Sequence, residues 1–220
     1  MADELTSYLY DHFKMTLTPS QKDAVEALHG PICVISCPGS GKTTVTVIRL
    51  ANLMVKGGVS PQQILALTFS KASAKDMNDR FKSLFPSLAN HVKFATIHSF
   101  AFHIIRHFEQ ISGTRYEFID TPNQMTHSKR QLLASIYLEK SERYLSDDEY
   151  ETITGQISLL KNLMIEPHQT KEIKKYVENE VELFIQVYKA YEQKKEANFF
   201  LDYDDLLTTA YQILIHRDEL

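Results

Sequence analysis

The chain has 220 residues, 43% of them hydrophobic and 24% charged, and a formal net charge of −4. This composition is typical of a globular protein and excludes collagen-like or low-complexity chains, while the net charge gives no overall sign of a nucleic-acid partner. With two cysteines and no apolar run near the roughly 18 residues of a membrane span, we expect a cytoplasmic protein without a disulfide framework or membrane contact.

The first half of the chain alternates predicted strands and helices. Thr18 and Pro19 predict the start of a first helix at Ser20. Three apolar runs then follow, each leading into a helical pattern: the runs cover 31–35, 64–69 and 91–97, and the helices 44–55, 71–84 and 98–108. Near-continuous apolar runs are typical of strands buried on both faces of a parallel sheet. The pattern predicts an α/β fold with helices on both faces of a parallel sheet.

A glycine-rich loop joins the first predicted strand to its helix. Residues 36–43 read Ser-Cys-Pro-Gly-Ser-Gly-Lys-Thr, the order of a P-loop with serine in place of its first glycine. Backbone N–H groups of such a loop converge on the phosphates of a nucleotide, and the glycines let the backbone approach them closely. Lys42 would place its positive charge beside the phosphates and take part in catalysis, and Thr43 would ligate Mg²⁺. The predicted nucleotide-binding residues of this loop are Ser36, Cys37, Pro38, Gly39, Ser40, Gly41, Lys42, Thr43 and Thr44.

Beyond Gly113 the pattern becomes helical, apart from a short extended run at 116–119. Thr121 and Pro122 predict the start of a helix that runs to Glu139, and Ser146 that of another. A long charged segment carries one buried stripe at helical spacing, formed by Ile173, Val177, Phe184, Tyr188 and Tyr191. We expect an all-helical region over 113–197 and a final amphipathic helix over 202–216.

Polar and aromatic side chains follow the second and third predicted strands. Because the carboxyl ends of parallel strands meet at one edge of a sheet, we expect 68–77 and 95–100 to share that edge. The segment from Lys71 to Lys93 contains five basic residues and two aspartates. Its local charge of +3 suits phosphate binding. A solvated helix face explains the same charges.

Taken in order, these stretches resemble the motifs of the UvrD/Rep/PcrA-like superfamily 1 DNA helicases, ATP-driven translocases that move 3′ to 5′ on single-stranded DNA. Residues 17–21 resemble the family's Q motif, which implies that Gln21 contacts adenine. Residues 68–77 and 96–99 resemble its DNA-contacting motifs, with Phe69 stacking on a base. The DNA-binding residues implied by the resemblance are Thr68, Phe69, Ser70, Lys71, Thr96, His98 and Ser99.

The resemblance also implies a domain organisation. Residues 1–112 would be the first part of a RecA-like ATP-binding domain, 113–197 the helical insertion called 1B, and 198–220 the return into the RecA-like domain. The acidic Walker B motif that the family carries shortly after residues 200–207 is absent before Leu220. We therefore expect an N-terminal piece of a helicase, with ATP, Mg²⁺, single-stranded DNA and the rest of the motor as its partners, and almost inactive in hydrolysis by itself.

Three alternatives remain open from the residues alone. The parent protein could be the helicase subunit of a helicase-nuclease complex. The chain could be an unrelated, self-contained P-loop enzyme such as a small kinase, which would require a phosphoacceptor pocket and clustered arginines. It could also be a truncated chain that binds DNA or a protein partner without turnover, as salt-sensitive binding of single strands without hydrolysis would indicate.

Overall fold

A computed structural model of the chain describes residues 2–88, 92–120 and 128–216. The chain has mixed α/β content, mostly helical, with two small parallel sheets. It divides into two compact units, Met1–Ile97 and His98–Leu220. None of the helices described is both long enough and apolar enough to cross a bilayer.

The first unit contains a two-stranded parallel sheet and four helices among its described residues. Its elements are α1 (Ala2–Phe13), α2 (Pro19–Glu26), α3 (Lys42–Val55), a 3₁₀ turn (Pro61–Gln63), β1 (Leu65–Thr68), α4 (Lys71–Leu84) and β2 (Lys93–Thr96). Strands β1 and β2 pair in register from Leu65 opposite Lys93 to Thr68 opposite Thr96. Apolar side chains from the helices and β1 form its core, including Leu9, Val25, Val47, Ile48, Ala66 and Phe81.

One predicted strand of this unit does not form. Residues 31–35 adopt no strand, and Ile35 leaves 93% of its surface exposed. The second run does form β1, but Leu65 and Leu67 are exposed, so burial on both faces is wrong. In the part of the chain that the structure describes, the sheet of this unit has two strands, the run at 31–35 does not join it, and the face that carries Leu65 and Leu67 is left exposed.

The second unit is built from six helices and a short parallel strand pair in its described part. Its elements are α5 (Ile97–Ser112), β3 (Glu117–Phe118), α6 (Lys129–Ser141), α7 (Asp147–Asn162), α8 (Thr170–Ile173), α9 (Val181–Asn198), β4 (Phe200–Leu201) and α10 (Asp205–His216). Strand β3 pairs with β4, Glu117 opposite Phe200 and Phe118 opposite Leu201.

Of the two helix starts predicted in this unit, one is confirmed and the other lies outside the described residues. Ser146 caps α7 through a capping box with Glu149, which confirms the predicted helix start. The start predicted at residues 121 and 122 lies outside the described residues, and the helix that the structure describes begins after Ser128. The short extended run predicted at 116–119 is confirmed by β3, and the other elements described between 113 and 197 are helices, as expected.

The predicted stripe along 173–191 is buried, but it does not belong to one helix. Ile173 ends α8 and Val177 lies in the connection before α9, whereas Phe184, Tyr188 and Tyr191 lie on α9. Helical spacing therefore identified the core residues correctly and misplaced the first two in secondary structure.

Candidate functional site

The glycine-rich loop opens directly into α3. Gly39 and Gly41 both have left-handed backbones, with φ of +81° and +83°, a conformation that a β-carbon strains. Gly41 is the N-cap residue, and no side chain caps the first turn of α3. The free N–H groups of that turn, together with the helix dipole, form a site suited to an anion such as phosphate.

Lys42 lies folded over the loop. Its Nζ donates to the carbonyl oxygens of Ser36 at 3.1 Å and Cys37 at 2.9 Å, and Ser40 Oγ donates to the same Cys37 oxygen at 2.7 Å. These contacts fix the curvature of the loop through its own carbonyls. A phosphate would offer the ammonium group a charged acceptor, and such hydrogen bonds are about twice as strong as neutral ones.

Gln21 joins this loop to α2. Its amide nitrogen Nε2 donates to the carbonyl of Ser40 at 2.9 Å, and its Oε1 accepts from the backbone N–H of Thr18 at 3.0 Å. The second contact is half of a capping box, in which Thr18 Oγ1 accepts from the Gln21 N–H at 3.3 Å. Gln21 therefore stabilises the start of α2 and touches the loop with one side chain.

Two side chains that the sequence did not single out hold α3 against α2. Arg49 NH1 donates to the carbonyl of Ala24 at 2.7 Å, and the buried Asn52 Nδ2 donates to that of Val25 at 2.9 Å. Both carbonyls lie near the end of α2, where backbone carbonyl groups have no hydrogen-bond donor within the helix. The sequence contains one sign of this contact, since Asn52 is an amide side chain on an otherwise apolar face of the helix.

A cavity of about 540 Å³ lies beside the loop. Its lining comes from α2, the loop, the segment before it and the start of α3: Thr18, Ser20, Gln21, Ala24, Val34, Ile35, Ser36, Gly39, Ser40, Gly41, Lys42 and Val45. Ser36 Oγ is buried and makes no hydrogen bond to the described residues. An unpaired hydroxyl, free helix N–H groups and a lysine fit a phosphate-bearing ligand, while Thr43, on the same first turn, is half-buried.

The second set of predicted residues follows β1 and β2. Because Thr68 pairs with Thr96, both strands end at the same edge of the sheet. Thr68 Oγ1 donates to the carbonyl of Ser70 at 3.0 Å, and Ser70 Oγ caps α4 by accepting from the N–H of Ser73 at 3.1 Å. Between them Phe69 is 90% exposed, which excludes packing in the core.

Basic side chains lie along α4, from Lys71 at the carboxyl end of β1 to Lys82 in the last turn of the helix, and Lys93 begins β2 at the opposite end of the strand pair. Lys71, Lys75, Lys82 and Lys93 are exposed, and Arg80 pairs with Asp76 at 3.0 Å. An exposed ion pair of this kind contributes little to stability, so this positive surface remains available to a polyanion.

In the second unit, His98 stacks on Tyr203. The ring centroids are 4.4 Å apart and the planes differ by 13°. His98 lies in the first turn of α5, and Ser99, half-buried, follows it. No local pattern in the sequence pairs these rings, which are more than 100 residues apart.

Tyr203 belongs to a segment held by a buried ionic cluster, which we define as Lys161, Lys195, Asp202, Asp205 and Tyr191. Lys161 Nζ lies 3.1 Å from both carboxylate oxygens of Asp202 and 2.5 Å from Asp205 Oδ1. Lys195 Nζ lies 2.7 Å from Asp205 Oδ2, and Tyr191 donates to Asp202 Oδ2 at 2.8 Å. Both lysines and both aspartates are buried.

The electrostatics of the ionic cluster favour its charged form. Burial alone would raise the pKa of Asp202, yet Lys195 and Lys161 hold that pKa well below its usual range. Burial alone would lower the pKa of Lys161, but Asp205 and Asp202 hold it above its usual value. Asp202, Asp205 and Glu192 lie close enough to suggest a metal site, but the ammonium groups of Lys161 and Lys195 already contact all three carboxylates.

Comparison with known proteins shows one consistent similarity. The family model described as the UvrD/REP helicase N-terminal domain matches residues 17–220. The protein called ATP-dependent DNA helicase PcrA of Bacillus subtilis (strain 168) is 31% identical over 211 residues, which cover 94% of this chain and 27% of that relative. That of Leuconostoc citreum is 32% identical over 193 residues, 85% of this chain and 24% of the relative. The chain thus spans about a quarter of the length of these curated relatives.

Proposed function

The chain belongs to the UvrD/REP helicase N-terminal domain family, and on that premise we propose that it is the N-terminal ATP- and single-stranded-DNA-binding part of an ATP-dependent 3′–5′ DNA helicase. The observation that carries the proposal is the left-handed glycine loop that opens into the uncapped start of α3 beside Gln21. Membership of this family excludes an unrelated small kinase.

Nucleotide binding is assigned to the loop and its neighbours. Lys42 exchanges the carbonyls of Ser36 and Cys37 for the β- and γ-phosphates, and the N–H groups from Gly39 to Thr44 surround the same phosphates. Mg²⁺, held by the Thr43 hydroxyl, supplies charge neutralisation on the phosphates when it is bound. Gln21, which contacts the loop through Nε2, would hydrogen-bond to the edge of the adenine.

DNA binding is assigned to the strand ends and the starts of the following helices. Phe69 presents its ring to solvent, where it can stack on a base without sequence preference. Hydroxyl groups of Thr68, Ser70, Thr96 and Ser99, the imidazole of His98 and the ammonium of Lys71 would contact phosphates. Contacts of this kind suit a translocase, which must bind every sequence.

The architecture we propose is a RecA-like first domain over 1–112, a helical 1B insertion over 113–197, and a return into the first domain over 198–220. The apolar surface of residues 31–35 and of Leu65 and Leu67 supports it, because exposed strand-like residues of this kind need further strands to pair with and further elements to cover their faces. The rest of the helicase motor is the partner that would supply them.

We propose that the chain alone turns ATP over slowly. The residues lining the cavity at the loop, within the described part of the chain, include no aspartate or glutamate to hold Mg²⁺ or activate water. Arginine fingers from a second motor domain contribute roughly 10³–10⁵-fold in rate in related phosphoryl transfers. Binding without rapid turnover is therefore the expected behaviour.

The nucleotide proposal is tested by titrating the chain with a fluorescent ATP analogue and Mg²⁺. Lys42→Ala should weaken binding about 10- to 150-fold, the effect of losing a hydrogen bond worth roughly 1.5–3 kcal/mol to a charged group. Lys56→Ala, at an exposed lysine after the other end of α3, is the matched control and should bind as the wild type does. Equal affinity in Lys42→Ala, with an unchanged circular dichroism spectrum, would remove Lys42 from the site.

The DNA proposal is tested by anisotropy of a labelled oligothymidylate. Phe69→Ala should weaken its binding by about 5- to 150-fold, because base stacking contributes roughly 1–3 kcal/mol, and should leave nucleotide affinity unchanged. Ile35→Ala removes an apolar side chain of similar exposure and serves as the control. Failure of the wild type to bind the strand at low salt would contradict the proposal.

A further inference from the structure

We propose that a cleft between α7 and α9 is a docking site for a basic segment of another protein, which inserts one large apolar side chain into it. The cleft is lined by the first half of α7, the start of α9 and Tyr137 of α6. The inference goes beyond the proposed function, since it requires neither a nucleotide nor DNA.

The floor of the cleft is apolar. Ile153 of α7 and Phe184 and Val187 of α9 form it, and all three belong to the core of the second unit. Leu183 is half-buried and Thr152 is exposed, so the cleft opens to solvent beside these two residues. An apolar side chain placed here leaves water and contacts the core, which is how a few anchor residues supply most of the affinity of protein interfaces.

The volume of the cleft indicates the kind of occupant. Sites for cofactors and other small molecules usually measure roughly 300–1,000 Å³. The cleft is smaller, at about 220 Å³. It therefore suits a single side chain that belongs to a larger partner, whose neighbouring residues contribute further contacts at the rim.

Acidic residues surround the cleft. Three of its lining residues are acidic: Asp148, Glu149 and Glu180. Among the described residues that line it, none is a lysine, arginine or histidine. The segments 143–152 and 178–183, with their exposed partners Arg130 and Lys174, contain seven acidic and three basic residues, a local charge of −4. A surface of this sign repels the phosphates of DNA and attracts lysine and arginine, so charge complementarity selects a basic segment.

Hydrogen bonds maintain the charge of the rim and fix the walls of the cleft. Tyr137 Oη donates to Glu149 Oε1 at 2.6 Å, and this bond, with those from Ser146, lowers the pKa of Glu149 to about 2. Arg143 donates to both carboxylate oxygens of Glu180, at 2.9 and 3.1 Å, and to Tyr137 Oη at 3.1 Å. These bonds join α6, α7 and the start of α9 before any partner arrives, so docking costs little conformational freedom in the chain.

Anisotropy of a fluorescein-labelled peptide tests the site. The probe is a peptide of alanine and lysine with one central phenylalanine, and the reference peptide has alanine at that position. The phenylalanine peptide should bind at low salt about 10- to 150-fold more tightly than the reference, because its ring leaves water in the cleft. Equal affinities would mean general attraction between charges and would overturn the proposal, as would the absence of binding.

Variants of the chain locate the contact. Thr152→Trp places a large side chain at the cleft and should remove the preference for phenylalanine. Gln193→Trp, at an exposed position farther along α9, is the matched control and should keep it. A preference that survives in a folded Thr152→Trp would show that the peptide binds elsewhere, and the proposal would fail.

The contribution of the acidic rim is measured separately. Asp148→Lys should weaken binding of the phenylalanine peptide about two- to fivefold at low salt. Glu166→Lys, at an exposed glutamate of the same unit outside the cleft, changes the net charge equally and should weaken binding less. Equal effects of the two variants would contradict a local role for the rim.

A second copy of the chain is the alternative occupant. Sedimentation velocity of the wild type should show a monomer, because the acidic rims of two copies repel each other. Self-association that Thr152→Trp removes and Gln193→Trp keeps would assign the cleft to a second copy and overturn the proposal. Thr152→Trp should leave the affinity for oligothymidylate unchanged, so the outcome for this cleft is distinguishable from that for DNA binding.

Discussion

The two units of the chain differ in how far their apolar and charged side chains are buried and paired. In the first unit, strand-like apolar residues such as Ile35 and Leu67 lie in water, and the loop before α3 carries an unpaired buried hydroxyl. In the second unit, apolar residues from α6, α7 and α9 form a continuous core, and even Lys161 of α7 and Lys195 of α9 are buried with aspartate partners.

This contrast separates the groups available to a nucleotide in the first unit from the groups that stabilise the second unit. The groups left unsatisfied in the first unit are those that a phosphate or further strands would satisfy. The second unit has satisfied its charges internally and is expected to hold its geometry without a ligand. Three substitution experiments test this comparison between the two units.

The largest effect is expected at the ionic cluster. Asp202→Asn removes a charge that faces Lys161 and Lys195, and breaking a buried ion pair from one side costs about 3–5 kcal/mol. Urea denaturation followed by circular dichroism should show this loss of unfolding free energy. Asp147→Asn, at an exposed aspartate paired with Arg130, is the control and should lose less than about 1 kcal/mol. Equal losses would show that the cluster gives the second unit no special stability.

An intermediate effect is expected at the glycine loop. Gly41→Ala places a β-carbon in a left-handed conformation, at a cost of roughly 1–2 kcal/mol, and only 3.2 Å from Gln21 Nε2. Gly30→Ala imposes a similar strain at φ +76° with no described atom within 4 Å of the new β-carbon. Both should lower stability alike, but only Gly41→Ala should weaken binding of the ATP analogue. If both weaken it, backbone strain rather than contact with Gln21 is responsible.

The smallest effect concerns the surface of the second unit at low pH. The hydrogen bond from Tyr137, with those from Ser146, lowers the pKa of Glu149 from 4.5 to about 2. Because the folded value lies below the unfolded one, this stabilisation is present above pH 4.5 and is lost as the pH falls toward 2. Glu149→Gln should therefore flatten the acid side of the stability–pH curve.

The control for this last prediction is Glu151→Gln, at an exposed glutamate on the same helix. Its acid-side curve should follow that of the wild type. The same slope in Glu149→Gln and the wild type would show that the low pKa of Glu149 does not contribute to folding.

Local signals in the sequence predicted local structure well. The helix over 71–84 has the predicted bounds, and Ser146 begins α7 as its capping box indicates. These features depend on residues three or four positions apart, so a single stretch of sequence contains them. The P-loop residues were predicted in the same way, as a short motif between an apolar run and a helix.

Features that depend on distant partners were missed. The run at 31–35 has the composition of a buried strand, but composition does not state whether a neighbouring strand is present. Lys161 and Asp202 are 41 residues apart, and lysines on charged helices read as solvent-facing until the partner is known. The stack of His98 on Tyr203 was invisible for the same reason.

In the proposed nucleotide site, the two contacts of the Gln21 side chain would affect how the base is recognised. Its carboxamide is already committed, through Oε1 to the first turn of α2 and through Nε2 to the loop. A base that recruits this carboxamide competes with the order of the helix that presents it. Different bases would then stabilise the first turn of α2 to different degrees. The identity of the nucleotide would in this way be coupled to the local folding of this helix at the edge of the site.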